Sequence, residues 1–460
     1  MKRREFLTRS AALGTAIPLG VAAAPALLTS CSNDRTSRRR YTPEELGMYS
    51  FIDTAPDGRP LRAALVGCGS RGTGAALDFL NAGPNLQLVA MADLLPDRME
   101  SSKRWLARRD EPVTVDDSRC FFGFDAYKKV LDLPDVDVVL LCTPNHFRPE
   151  QFRAAVDAGK HIFMEKCCAI DPVGIRSIIA ASRIASARGL TVVTGNQRRH
   201  RRDYWEAFVE VKNGLIGDVV AATCHWDQGA FWDLRQRPEW SDMEYQIRNW
   251  FNVKWLSGDH ILDQGIHNID IATWFMEDTP VQATGYGGRA RRRSGDIYDF
   301  FAVDYTYADG KQMLHTARQI HATAGNISER VLGTKGIAQL NDNNEIKIVD
   351  WDGNTLWEYD YVNNPIVNSA YLQEHIHFVE SIRLNKRINQ AEELAISNQV
   401  AIMGREAAYT GRAITWEEMM ASSLRYGPTP DEYAMGAIAP EHFQEGVVPI
   451  PGMESESAVR

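Results

Sequence analysis

Positive charge is what this chain of 460 residues has too little of: 51 Lys and Arg stand against 60 Asp and Glu, a net charge of −9. That deficit excludes nucleic acid or an anionic membrane surface as the main partner. Cysteine is scarce as well, at seven (Cys31, Cys68, Cys120, Cys142, Cys167, Cys168 and Cys224), and no C-x-x-C pair occurs. Such spacing builds neither a disulfide framework nor a zinc site, so no metal is expected. Internal repeats and low-complexity tracts are missing. So are long apolar runs near the start: Ala11 to Leu28 is only weakly apolar and is broken by Gly14, Pro18, Gly20 and Pro25, a poor membrane-spanning helix.

That weak stretch has another use. Lys2-Arg3-Arg4-Glu5-Phe6-Leu7 precedes it, so charge, short apolar run and processing site come in the order of a twin-arginine export signal. Leu28-Thr29-Ser30-Cys31 resembles a lipobox, in which Cys31 becomes the lipidated first residue; a small-residue cleavage site before Ala26 competes with it. The expectation is export to the periplasm or cell envelope, with membrane contact only through a lipid on Cys31. The leader carries Lys2, Arg3, Arg4 and Arg9 against Glu5, so the remainder stands at −12. A protein folded before export meets a reducing compartment first, and its other thiols read as free core residues.

Leu65-Val66-Gly67-Cys68-Gly69-Ser70-Arg71-Gly72 ends an apolar run in G-x-G-x-x-G, a helical pattern follows, and Asp93 comes twenty-one residues after the last glycine. Gly67 allows the tight strand-to-helix turn, Gly69 lets backbone approach a pyrophosphate, and Gly72 lets helix pack on strand. The phosphates would sit on orphan N–H groups of the first turn, which Ser70 and Arg71 open. Asp93 is placed to accept hydrogen bonds from a ribose and to repel a 2′-phosphate. This pattern predicts NAD rather than NADP.

The rest of the chain divides by pattern. Residues 31–60 are a polar tether, with Arg38-Arg39-Arg40, and an arm lying on the folded body. From 61 to 197 strands are predicted at 61–66, 86–92, 136–142, 160–164 and 190–194, alternating with helices, as in a doubly wound α/β Rossmann domain. From 198 to 415 helices near 203–213, 262–275, 369–384 and 391–411 flank strand-like runs at 218–226, 280–287, 297–307, 311–319, 337–341 and 345–349. This predicts an α+β domain with a large, mostly antiparallel sheet. Residues 416–460 read as an extended C-terminal arm.

Three short motifs follow the glycines. Thr143-Pro144-Asn145-His146 and Glu165-Lys166 each lie just past a strand, where ligands bind in open parallel sheets. Asp263-Gln264-Gly265-Ile266-His267-Asn268-Ile269-Asp270 opens a helix in the second domain, and the four-residue spacing is expected to let Asp263 orient and charge-stabilise His267. His146 reads equally as cofactor-loop packing or a nicotinamide-side contact.

Taken in order, these motifs resemble those of the Gfo/Idh/MocA oxidoreductases over residues 61–415. The resemblance implies a Rossmann domain followed by an α+β domain with an open-faced sheet, and hydride transfer between a sugar or cyclitol and a nicotinamide. It implies that Lys166 contacts the reacting hydroxyl, that Asp263 is the substrate-side acid, and that His267 takes the hydroxyl proton. It also implies that the exposed sheet face pairs, giving a homo-oligomer. One departure stands out: the usual E-K-P is Glu165-Lys166-Cys167 here, and the loss of proline loosens the backbone after the lysine. The chemistry asks for the same trio independently. Hydride leaves a carbinol carbon only as the hydroxyl proton departs, so a base near neutrality and a cation beside the developing alkoxide are wanted.

Trp226, Phe231, Trp232, Trp240, Tyr245, Trp250, Phe251 and Trp255 crowd an irregular segment, interleaved with polar residues that include Arg248 and Asn249. They read either as a sugar-stacking surface, with Trp232, Arg248 and Asn249 on the substrate, or as a core or subunit-interface cluster. Arg198 and His200, which begin the second domain, are expected to line the cleft.

Location constrains the chemistry further. Free NAD is scarce outside the cytoplasm, so the cofactor should be tightly bound and recycled in place. Two enzymes satisfy that: an oxidoreductase acting on a sugar or glycoside hydroxyl, which is favoured, and an NAD-dependent glycoside hydrolase working by transient oxidation, elimination and re-reduction. A non-catalytic carbohydrate-binding lipoprotein is disfavoured because Lys166, Asp263 and His267 are all present.

Overall fold

The computed structural model describes residues 40–453 apart from 110, 342, 344 and 440. The export signal, Cys31 and the start of the tether lie outside the described residues. The described residues form one compact unit.

Six strands make the first sheet: β1 (Leu61–Val66), β2 (Leu86–Asp93), β3 (Cys120–Phe122), β4 (Val138–Leu141), β5 (His161–Met164) and β6 (Val192–Thr194). Their order is β3-β2-β1-β4-β5-β6, every neighbour pair is parallel, and β1 meets β4 in register from Ala63↔Val138 to Val66↔Leu141. Order reverses between β1 and β4, so a crevice opens at their carboxyl ends. All four residues of β4 are buried, as a strand covered on both faces requires. The crossover helices are α1 (Ser70–Asn81), α2 (Pro96–Leu106), α3 (Ala126–Leu131), α4 (Arg148–Asp157) and α5 (Pro172–Ala187).

The second sheet has nine strands: β7 (Val219–Gln228), β8 (Gln282–Gly288), β9 (Phe300–Thr306), β10 (Gln312–Gln319), β11 (Asn326–Gly333), β12 (Gly336–Asn341), β13 (Lys347–Asp350), β14 (Thr355–Glu358) and β15 (Ile414–Thr415). Their order is β14-β13-β12-β11-β7-β10-β9-β8-β15. Only the β7–β10 pair is parallel. Its helices are α6 (Arg202–Lys212), α7 (Asp242–Arg248), α8 (Lys254–Ser257), α9 (His260–Asp263), α10 (Ile266–Met276), α11 (Ala370–Arg383), α12 (Ala391–Thr410) and α13 (Trp416–Ala421).

The helix expected over 262–275 is two, α9 and α10, interrupted at Gln264-Gly265. A Cβ on Gly265 would stand 2.7 Å from Nε2 of His315, so backbone packs directly on that imidazole. Helix α11 returns to the first domain. Its Ile376, Phe378, Val379 and Ile382 share one core with Leu61, Leu65, Phe79 and Phe163, each contributing about 1.5–3 kcal/mol if fully buried. The arm before β1 lies over the same helix: Ser50 donates to Glu380 at 2.6 Å, and Gln373 donates to the Ile52 carbonyl at 3.2 Å.

Candidate active site

At the first loop the three glycines meet different surroundings. Gly67 has φ +94°, and its Cβ would stand 2.7 Å from the Cys142 carbonyl carbon; one on Gly72 would stand 1.8 Å from the Gly67 oxygen. Both glycines are fixed by packing. Gly69 has nothing within 4 Å of the same position. It is the N-cap of α1 and makes no side-chain cap bond, so the first-turn N–H groups are left for an anion. Asp93 ends β2, accepting from the Cys68 N–H at 2.6 Å and from the Leu95 N–H at 2.8 Å. Burial pushes its carboxyl up despite those bonds. Glycines, acid and orphan donors face one cleft of about 770 Å³ that runs on to Lys166, Asp263 and His267. The residues therefore fit a dinucleotide.

The far end of the cleft joins both domains. Lys166 Nζ donates to the main-chain oxygen of Asp263 and lies 3.7 Å from its Oδ1. The Lys166–Cys167 peptide is cis. Asp263 accepts from Asn145 Nδ2 at 3.3 Å and from Gln264 Nε2 at 2.8 Å. His267 stacks on Trp226 with ring centroids 5.1 Å apart. Among the described residues its ring nitrogens have no hydrogen-bond partner. Burial, then the charges of Lys166, Arg198 and Arg71, holds its pKa well below the ordinary imidazole value, and so below the near-neutral base expected from the chemistry.

The expected Asp263–His267 partnership is not found. The chain breaks between α9 and α10, Asp263 is held by Asn145 and Gln264, and the charges that act on His267 are cations.

Several other sequence assignments are corrected by burial. Asn145 does not face the cleft: it is fully buried, donating to the Ser257 carbonyl at 2.7 Å and accepting from Arg148 at 2.7 Å. It ties the loop after β4 to the second domain. Of the two readings of His146, packing holds: Nε2 meets the Tyr433 hydroxyl at 2.9 Å and the Pro428 carbonyl at 3.2 Å. Arg198 pairs with Glu329 in the interior, its guanidinium 5.5 Å from the Trp226 ring. His200 is bonded to His377 at 2.8 Å and stacked on Tyr49 of the arm at 5.2 Å. Asn249 is fully buried and bonds Ser294 and the Leu234 N–H. Arg248 does line the cleft, but it is spent on Asp97 and Glu244.

Thr143 and Pro144 line the cleft, and Thr143 donates to Gln151 at 2.6 Å. Ser70, Arg71 and Glu165 line it too, and Arg71 Nε is paired with Glu165 at 2.5 Å. The aromatic segment splits. Trp226, Phe231, Trp232, Trp250 and Phe251 wall the cleft, whereas Tyr245 and Trp255 are core. Tyr371 and Arg98 also line the cleft. Tyr371, under the Arg71 guanidinium at 4.4 Å, comes three hundred residues after the glycine loop, and no local pattern announces it. Cys167 and Cys168 are buried; burial pushes the Cys167 thiol up to about 12 and Cys168 up as well.

Comparison with known proteins fits this arrangement. Residues 61–194 match the oxidoreductase family with an NAD-binding Rossmann fold, and residues 204–339 match the GFO/IDH/MocA C-terminal domain. The chain belongs to the Gfo/Idh/MocA family. Among its relatives is inositol 2-dehydrogenase of Rhizobium meliloti, 25% identical over 302 residues, which are 64% of this chain and 80% of that protein. Glycosyl hydrolase family 109 protein 3 of Phocaeicola vulgatus is 30% identical over 184 residues, 39% of this chain and 32% of that protein. In fold, this Gfo/Idh/MocA chain is similar to aldose-aldose oxidoreductase from Caulobacter crescentus, with a TM-score of 0.61 and 19% identity, covering 78% of this chain and 100% of that one.

Proposed function

We propose that this protein oxidises a hydroxyl of a sugar, cyclitol or glycoside at the cell envelope, after twin-arginine export and lipidation at Cys31, with NAD held through both half-reactions. The observation that carries the chemistry is the unpartnered His267 imidazole in the same cleft as the Lys166 ammonium and the Asp263 carboxylate. His267, held neutral, accepts the hydroxyl proton. Lys166 sits against Asp263 and stabilises the developing alkoxide. Asp263, anchored by Asn145 and Gln264, keeps acceptor capacity for a neighbouring hydroxyl. The nicotinamide, when bound, supplies the two-electron acceptor. Trp232 and Trp250 offer flat faces for a ring substrate.

Retention follows from location, since a released cofactor would not be replaced. The likeness to an aldose-aldose oxidoreductase supports a cycle in which a second carbonyl compound restores the cofactor. The likeness to a family 109 glycosyl hydrolase favours a second reading, glycoside cleavage with no net redox change. Tyr286, Phe300 and Leu314 are exposed on one face of the nine-stranded sheet and support pairing of two copies.

Mass spectrometry of small molecules released on denaturing protein purified without added cofactor tests this. Near-stoichiometric NAD or NADH is expected, and a glycoside panel then separates keto-sugar formation from aglycone release. Empty protein overturns retention, and NADP overturns the role given to Asp93.

A further inference from the structure

Arg248 ends α7 in the second domain, and its guanidinium reaches the first. Its Nη1 and Nη2 donate to the two carboxylate oxygens of Asp97 at 2.9 and 2.8 Å, while Nε is held by Glu244 at 2.9 Å. Asp97 lies in the first turn of α2, four residues after Asp93. The bridge therefore joins the two domains at the end of the cleft where the fingerprint acid stands. It is no loose surface pair: the Arg248 side chain is 14% exposed, and its guanidinium carbon lies 5.2 Å from the Trp240 ring centroid. Beside it, Ile247 and Trp250 pack in one apolar cluster with Leu95 and Phe147 of the first domain, and all four line the cleft.

We propose that the Arg248–Asp97 bridge is a cofactor-retention latch, fastening the aromatic segment of the second domain over the Asp93 end of the cleft and slowing release of a bound dinucleotide. The proposal rests on the NAD reading of that cleft. To open this end, both bonds of the fork break and the apolar cluster meets water. Exposed ion pairs contribute little, but a bidentate, partly buried fork is the stronger kind. Arg248 contributes without touching the reacting atoms, so its signature is a rate of release.

The test loads full-length protein with NADH and follows loss of bound-cofactor fluorescence after mixing with a large excess of NAD. R248A and D97N are each expected to release NADH about three- to tenfold faster. The double variant should be no faster than the faster single, since both break one bridge. D97N changes a side chain that is 59% exposed, which separates the effect from core damage. Release at the wild-type rate in both singles overturns the latch, and so do multiplying effects in the double. Wild-type release within seconds overturns retention, yet leaves the latch standing if the variants are faster still. Slow release in every variant does the reverse.

Discussion

Alanine at Gly69 should separate cofactor binding from folding. Backbone φ there is −68°, which any residue adopts, and an added Cβ meets nothing within 4 Å. The stability cost is that of a changed N-cap, about 1 kcal/mol or less. Gly72 is the contrasting case. Its Cβ would stand 1.8 Å from the Gly67 oxygen, and neither atom can rotate away, because both are fixed by backbone. Overpacking of that kind costs about 1–3 kcal/mol or more. If the pyrophosphate lies on the N-terminus of α1, the new methyl at Gly69 occupies its approach. At about a hundredfold excess over Kd, binding adds about 2.7 kcal/mol to wild-type stability, and G69A should lose most of it. The assay is denaturant unfolding of cofactor-free protein with and without NAD. G69A should unfold close to wild type without NAD and gain little from it; G72A should be weakened in both. A full NAD-dependent gain in G69A would refute the placement.

Four further outcomes are expected. His267 works neutral, and its lowered pKa keeps it neutral below pH 6.5, so kcat/KM should hold through that pH and fall only at lower values; a wild-type acid limb at or above 6.5 contradicts this. H267N should lower kcat by about 10²–10⁴ with NADH still bound, and K166M, which removes a neighbouring cation, should shift any residual acid limb upward. H200A removes a ring stacked on Tyr49 and bonded to His377, and should cost about 2–4 kcal/mol in denaturant unfolding with KM unchanged; normal stability with a raised KM would return His200 to the cleft.

What could be read in advance depended on whether a residue's role is local. Val138 to Leu141 form an apolar run that suits a strand covered on both faces, and the glycine spacing encodes one turn. Strand β11, between β7 and β12, is not among the strands the sequence predicts. Its Glu329 is 1% exposed and paired with Arg198, so a central strand looks polar until its partner, 131 residues away, is known. Arg198, His200 and Asn249 depart from the expected cleft positions for the same reason. A polar side chain satisfied in the interior reads in sequence like one facing substrate. Asp263 and His267 do line one cleft, but the break between α9 and α10 falls where Gly265 packs on His315, a residue on a strand some fifty residues further on.

The return of α11 has a consequence for how the molecule can move and be cut. A chain that crosses once between two sheets leaves them free to swivel about a single tether. Here it crosses near Arg198, again before α11 and back before β15, so the two sheets are tied by three stretches of chain rather than one. The fragment 61–197 alone would also expose the surface that Ile376, Phe378, Val379 and Ile382 now cover. A cut at residue 197 would therefore bare part of the first half's own core.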